Sequence, residues 1–243
     1  MRGTFLSAIA LVALGIPSTS IANHSEVPPI DASMIEAHSA SFEFFVQEAD
    51  GSQVPAGTWS DQVQIEGASL IRTVVRYAPD GNADLRRTIV ADRNDLKPRT
   101  LDQRFGPSLA GVFHVDFAGN EVNQFLISSP LEPMRMIDAE FNQDVWELSL
   151  WGTLAMSLPF EVGKEFKVPT IGPDRKSVRQ VTFQIEGTAS FDFKGTSLEA
   201  TQIFIPEENW RFWVRKSAPY ILRIEHPAPD GRMAISKAVG LVG

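Results

Sequence analysis

Apolar and polar residues alternate with a period of two along most of the chain. Phe42, Phe44 and Val46 share one side of a strand, Glu43 and Gln47 take the other, and Asp50-Gly51 supplies a turn. Between Thr58 and Glu66, Trp59, Val63 and Ile65 lie opposite Ser60, Gln62, Gln64 and Glu66, and Gly67 breaks the run. Leu70 to Ala78 follows, then Pro79-Asp80-Gly81-Asn82, where proline presets one φ and glycine accepts a positive one. Asp84 to Asp92, Pro98 to Phe105, Gly111 to Phe117, Val122 to Ile127 and Met134 to Phe141 extend the series to about eight strands.

The period then changes to 3.6. From Asp144 to Leu158, Trp146, Leu150 and Leu154 recur at helical spacing, and so do Leu148, Trp151, Ala155 and Leu158. The spacing predicts one helix over about 144–158, opened by an Asp144/Glu147 capping box and ended by Pro159. It is apolar around most of its circumference, so it should be buried on more than one side. Gly152 costs such a helix about 1 kcal/mol against alanine, which suits a close backbone contact. A shorter helical turn, capped by Asp31, is predicted near the start.

Strand spacing resumes after Gly163. It covers Glu165 to Thr170, Gln180 to Glu186 with a turn at Gly187, Phe191 to Phe193, and Leu198 to Ile205. Trp210 to Arg215, Tyr220 to His226 and Arg232 to Val239 complete it. No repeat or linker divides the chain, so residues 23–243 read as a single β-rich domain. The fold class expected is mainly β: an antiparallel meander forming a curved sheet or open barrel covered by one central helix, since closure or cover protects strand edges.

The beginning of the chain sets the expected compartment. Arg2 precedes an apolar run from Phe5 to Ile16, and Ser20-Ile21-Ala22 places small residues before a cleavage point, so residues 1–22 read as a signal peptide with Asn23 as the mature start. The run is about 12 residues, short of the roughly 20 that span a bilayer. The chain has no cysteine, which excludes disulfides, a thiol nucleophile, thiolate metal sites and a lipidated lipobox cysteine. A periplasmic or secreted protein is expected. The net charge is −8 with no basic stripe, which argues against nucleic acid as a partner.

No motif with catalytic mechanics is present: there is no Gly-x-Ser-x-Gly elbow and no glycine-rich phosphate cradle. His114 and Asp116 share a strand face and offer two metal ligands, but the same spacing is the polar side of an ordinary strand, and no metal site is expected. Arg72 and Arg76, with Arg86 and Arg87 on the next strand, form a basic cluster that could meet a carboxylate or phosphate if it faces inward and would otherwise be a solvated face. The aromatic residues are more suggestive. Trp146, Trp151 and Leu154 on the helix, Phe160 just after it, and Trp213 on a late strand are the candidate ligand-binding residues, and all five could equally be packed core.

One resemblance bears on these expectations. Leu158-Pro159-Phe160 with Gly163-Lys164, a strand closing in Glu186-Gly187, the Trp210-Arg211-Phe212-Trp213-Val214 strand and Ile221-Leu222-Arg223-Ile224-Glu225 before Asp230-Gly231 resemble a family of exported bacterial proteins of unknown function, the DUF3108-like group. The turn at Asp192-Phe193-Lys194-Gly195 departs from that family's usual Pro-Ala-Gly. More broadly, a meander with one helix is similar to the envelope lipoprotein carriers, whose half-open barrels hold acyl chains under helices. The resemblance implies no catalytic residue and no cofactor. The expected function is an exported, non-enzymatic binding protein for a lipid-like or other apolar ligand. The alternatives are a structural or protein-interaction component of the envelope with a filled core, and a hydrolase whose site no motif marks.

Overall fold

The computed structural model describes residues 29–128, 133–172 and 175–241. The expected signal peptide and the Asn23 start lie outside them. The strands before the helix are β1 (His38–Gln47), β2 (Gln53–Glu66), β3 (Ser69–Tyr77), β4 (Ala83–Asp92), β5 (Pro98–Phe105), β6 (Gly111–Ala118), β7 (Glu121–Ile127) and β8 (Arg135–Glu140). A short 3-10 turn, Leu148–Leu150, runs into α1 (Trp151–Ser157). After it come β9 (Glu165–Ile171), β10 (Val178–Phe193), β11 (Thr196–Ile205), β12 (Trp210–Val214), β13 (Ile221–Pro227) and β14 (Met233–Leu241).

All fourteen strands belong to one antiparallel sheet in the order β8-β7-β6-β5-β4-β3-β2-β1-β14-β13-β12-β11-β10-β9. The fold is mainly β, with the first and last strands paired at the middle and β8 and β9 at the two ends. β8 and β9 do not pair with each other. Instead Gln124 on β7 donates to the Arg175 carbonyl beyond β9 (3.1 Å), and the Arg175 guanidinium lies 4.8 Å from the Phe113 ring centroid on β6. The two ends of the sheet therefore approach across a loop, as the curved-sheet reading expects.

Alternation decides which residues form the core. Phe42 stacks on its cross-strand partner Trp59 with centroids 3.9 Å apart, and Leu70, Ile89, Leu101 and Val115 are buried along the same inner face. In the second half Val181, Phe183, Ile203, Ile205 and Phe212 join them in one continuous cluster. A smaller cluster, Ala200, Trp213 and Leu222, lies outside that cluster.

The helix is shorter than the spacing predicts. Residues 144–147 are not helical: Trp146 bridges in parallel to Thr170, its N–H donating to the Pro169 carbonyl (2.9 Å) and its carbonyl accepting from Ile171 (3.1 Å). The capping box does not form. Asp144 pairs with Lys97 at 2.9 Å, and Glu147 is buried against Arg175 at 2.7 Å, so neither carboxylate serves a helix end. The 144–147 segment instead supplies hydrogen bonds to the outer side of β9, which an edge strand would otherwise leave unmet. The C-terminal end falls where expected, because the residue before Pro159 is pushed into extended geometry: Leu158 has φ −77° and ψ 154°. Two other expectations change. Gly187 does not turn the chain but lies inside the long β10, beside a bulge between Ile185 and Gly187, and Asp31 caps only a tight turn by accepting from the Ser33 N–H at 3.0 Å.

Candidate ligand-binding cleft

The start of α1 sits where both halves of the sheet come within reach. A Cβ on Gly152 would stand 2.9 Å from Ile221 Cδ1 on the late half and 3.5 Å from the Arg72 guanidinium on the early half. The close backbone contact expected of this glycine is thus present. Beside it lies a cavity of about 190 Å3 lined from β1 to β4, from β12 to β14 and from residues 148–152.

Its two sides differ chemically. One side is aromatic. His226 stacks on Trp210 with centroids 4.5 Å apart and on Phe44 at 6.4 Å, and Trp210 meets the Trp151 ring edge-on at 5.4 Å. The Trp151 indole N–H is buried and has no acceptor among the described residues. The other side carries guanidinium groups: Arg72, Arg76 and Arg87 all line the cavity, between Val74 and Leu85. Arg72 is held bidentate by Asp61, and Arg76 by Asp84 at 2.8 and 3.0 Å. Among the described residues Arg87 has only Gln103, whose side-chain oxygen accepts from its Nε at 2.8 Å. Burial lowers the Arg87 guanidinium pKa to about 10, with Glu147 opposing the shift and Arg72, Arg175 and Arg76 adding to it. It stays charged at neutral pH. Burial likewise lowers the His226 pKa, against the hydrogen bond to the Pro227 carbonyl, so the ring is neutral near pH 7 with its proton on Nδ1.

The sequence candidates are distributed around this centre. Trp151 lines the cavity. Leu154 is fully buried on the helix and packs in the core. Trp146 is 1% exposed and donates its indole N–H to the Asp95 carbonyl at 2.9 Å, a structural anchor. Phe160 lies beneath the Lys216 ammonium, 4.1 Å from its ring centroid, where Lys216 donates to the carbonyls of Met156 and Leu158 at the helix end. Trp213 packs with Phe191, centroids 6.0 Å apart, on the side of β12 away from Trp210 and Phe212. Strand alternation separates it from the cavity, so of the five candidates only Trp151 lines it.

The residues the five candidates leave out are Phe44, Trp210, His226 and Arg87. Each carries a period-two signal: Trp210 shares the Phe212 face, His226 the Ile224 face, and Arg87 the face of Leu85 and Ile89. Two-residue spacing says which side chains travel together but leaves open which face is inner. The basic cluster itself divides in this way, because Arg86 is exposed on the outer face and Arg87 points inward.

His114 lies elsewhere, on β6, with Nδ1 2.7 Å from Asp102 and Nε2 3.0 Å from Asp116. Among the described residues no cluster of three or more ligand side chains is arranged to hold a metal ion. No helix among them is long and apolar enough to cross a membrane, which says nothing of strands. Comparison with curated proteins finds no match. A family model does match, over residues 48–235, from just after β1 into β14. It takes in the cavity-lining residues of β2 to β4, of β12 and β13 and of residues 148–152, though not Phe44 on β1 or Ser236 on β14, and reaches far ahead of the Leu158 point at which the sequence resemblance begins. The chain therefore belongs to the DUF3108 family, proteins of unknown function.

Proposed function

We propose that the protein is an exported, non-enzymatic binding protein that holds an apolar ligand in the cleft beside α1. The observation that carries this reading is the aromatic wall of Phe44, Trp210 and Trp151, which borders open space of about 190 Å3 where it could have been packed shut. Ligand pockets commonly run from about 300 to 1,000 Å3, so the cleft takes a small molecule or the end of a longer chain. The resemblance to envelope carriers supports the same reading.

Titration with Nile red, an uncharged apolar fluorophore, tests it. Saturable binding that weakens in a folded Trp151→Ala variant is expected, and absence of saturable binding contradicts the proposal. Export is tested separately by fractionating the host: mature protein starting at Asn23 outside the cytoplasm is expected, and an uncleaved cytoplasmic chain contradicts it.

A second reading has its own observation. β8 is an open edge strand, and Met136 on it is 58% exposed beside Met134 at 57%. Such an edge suits strand addition by a partner protein of the envelope.

A further inference from the structure

We propose that the cleft selects amphipathic anions, with Arg87 binding a carboxylate or phosphate head while the aromatic wall holds the apolar body. The inference rests on the cleft being the binding site proposed above and adds the class of ligand. Three guanidinium groups line this cavity, and two of them are already committed: Arg72 to Asp61 and Arg76 to Asp84. Arg87 is in no ion pair among the described residues. Glu147 attracts it from farther off, but that carboxylate is itself paired with Arg175 at 2.7 Å. The cleft therefore holds one uncompensated positive charge in a chain whose net charge is −8.

The geometry of Arg87 also favours an oxyanion over a neutral polar group. Its Nε is occupied by Gln103 at 2.8 Å, which fixes the plane of the guanidinium and leaves its two terminal nitrogens. Those two donors form the planar fork that matches the paired oxygens of a carboxylate or phosphate. Partial desolvation strengthens such a contact, because a half-buried cation without an ion-pair partner gains more from an anion than a fully hydrated one does. The opposite wall carries a His226 ring kept neutral by burial, so it stacks with the aromatic body and adds no competing charge.

Calorimetric titration of the mature protein with decanoate, decanol and decyl phosphate tests the assignment. Decanoate or decyl phosphate should bind about tenfold or more tightly than decanol, as expected for charge-assisted hydrogen bonds. Preference between the two anions identifies the head group, and either preference over decanol supports the proposal. Arg87→Gln should erase the advantage of the anions over decanol. Arg87→Lys keeps the charge but loses the fork, and should weaken the preferred anion by about threefold or more. Equal binding of anions and decanol by the wild type overturns the anion assignment and leaves the apolar cleft standing. Binding of none of the three overturns the cleft reading itself. An Arg87→Lys variant with undiminished anion affinity overturns the forked contact.

Discussion

Arg72 and Asp61 form a bidentate pair on the inner face of the sheet, with Nε and Nη2 of the arginine 2.9 and 2.7 Å from the two carboxylate oxygens. Their side chains are 7% and 4% exposed. They are diagonal neighbours, since Asp61 is registered opposite Val74 and Arg72 opposite Val63. The remaining terminal nitrogen of Arg72 donates to the Ser149 carbonyl at 2.9 Å, fastening the turn that leads into α1 onto β3. The pair therefore joins the sheet to the turn before its helix, and Arg72 lines the cleft.

Breaking one half of this pair leaves a buried charge without a partner. Asp61→Ala should cost about 3–5 kcal/mol of stability, and the double variant Asp61→Ala with Arg72→Met should recover part of that loss. Urea unfolding of the wild type, the Asp61→Ala and Arg72→Met single variants and the double variant measures it. A double variant as unstable as the sum of its singles would show that the two side chains act independently.

Trp146 and Trp151 separate structure from function. Trp146→Phe removes the hydrogen bond to the Asp95 carbonyl and should lower stability by about 1–2 kcal/mol with Nile red binding unchanged. Trp151→Phe should disturb binding more than stability, because its indole N–H has no partner to lose among the described residues. Paired unfolding and dye titrations read both effects, and the reverse pattern would exchange the two roles.

Gly57 has no tolerable substitute. Its φ is +129°, and a Cβ there would fall on the Tyr77 carbonyl oxygen of the neighbouring strand. Gly57→Ala should destabilise by more than about 2 kcal/mol, since both backbone strain and backbone displacement are forced. A thermal midpoint equal to that of the wild type would contradict the register of β2 against β3.

His114 gives the stability a pH signature. Burial alone would lower its pKa, but hydrogen bonds and the charges of Asp102 and Asp116 outweigh this and hold it above the usual 6.5. Its contribution is therefore present below about pH 6.5 and lost as pH rises through the raised folded value. The partners are 63% and 57% exposed, so solvent screening keeps the effect below about 1 kcal/mol. Comparing urea midpoints of wild type and His114→Gln near pH 5.5 and pH 8 should show the larger gap at acid pH. His226, whose pKa is lowered by burial, changes in the opposite sense but is common to both proteins.

Much of the fold is visible in the alternation of single strands. β5 begins and ends at Pro98 and Phe105 as the spacing indicates, and eight strands precede the helix. The helix start is not visible, because the force that keeps residues 144–147 extended is remote: Lys97 takes Asp144, Arg175 takes Glu147, and β9 takes the Trp146 backbone. Local propensity has no access to those partners. The same limit governs the cleft. Two-residue spacing groups Arg87 with Leu85 and Trp210 with Phe212, yet only the pairing of β1 with β14 brings those strands around one cavity. Trp213 illustrates the converse, a large aromatic residue one position out of phase and so on the wrong face.

The binding reading is tested most directly by native mass spectrometry of the mature protein purified from its own host, followed by organic extraction. The expected result is a bound species of small mass, amphipathic and anionic, that is absent from a folded Trp151→Ala variant. A clean ligand-free mass, together with no uptake of added decanoate or decanol, would contradict it and leave the open edge of β8 as the better place to look for function.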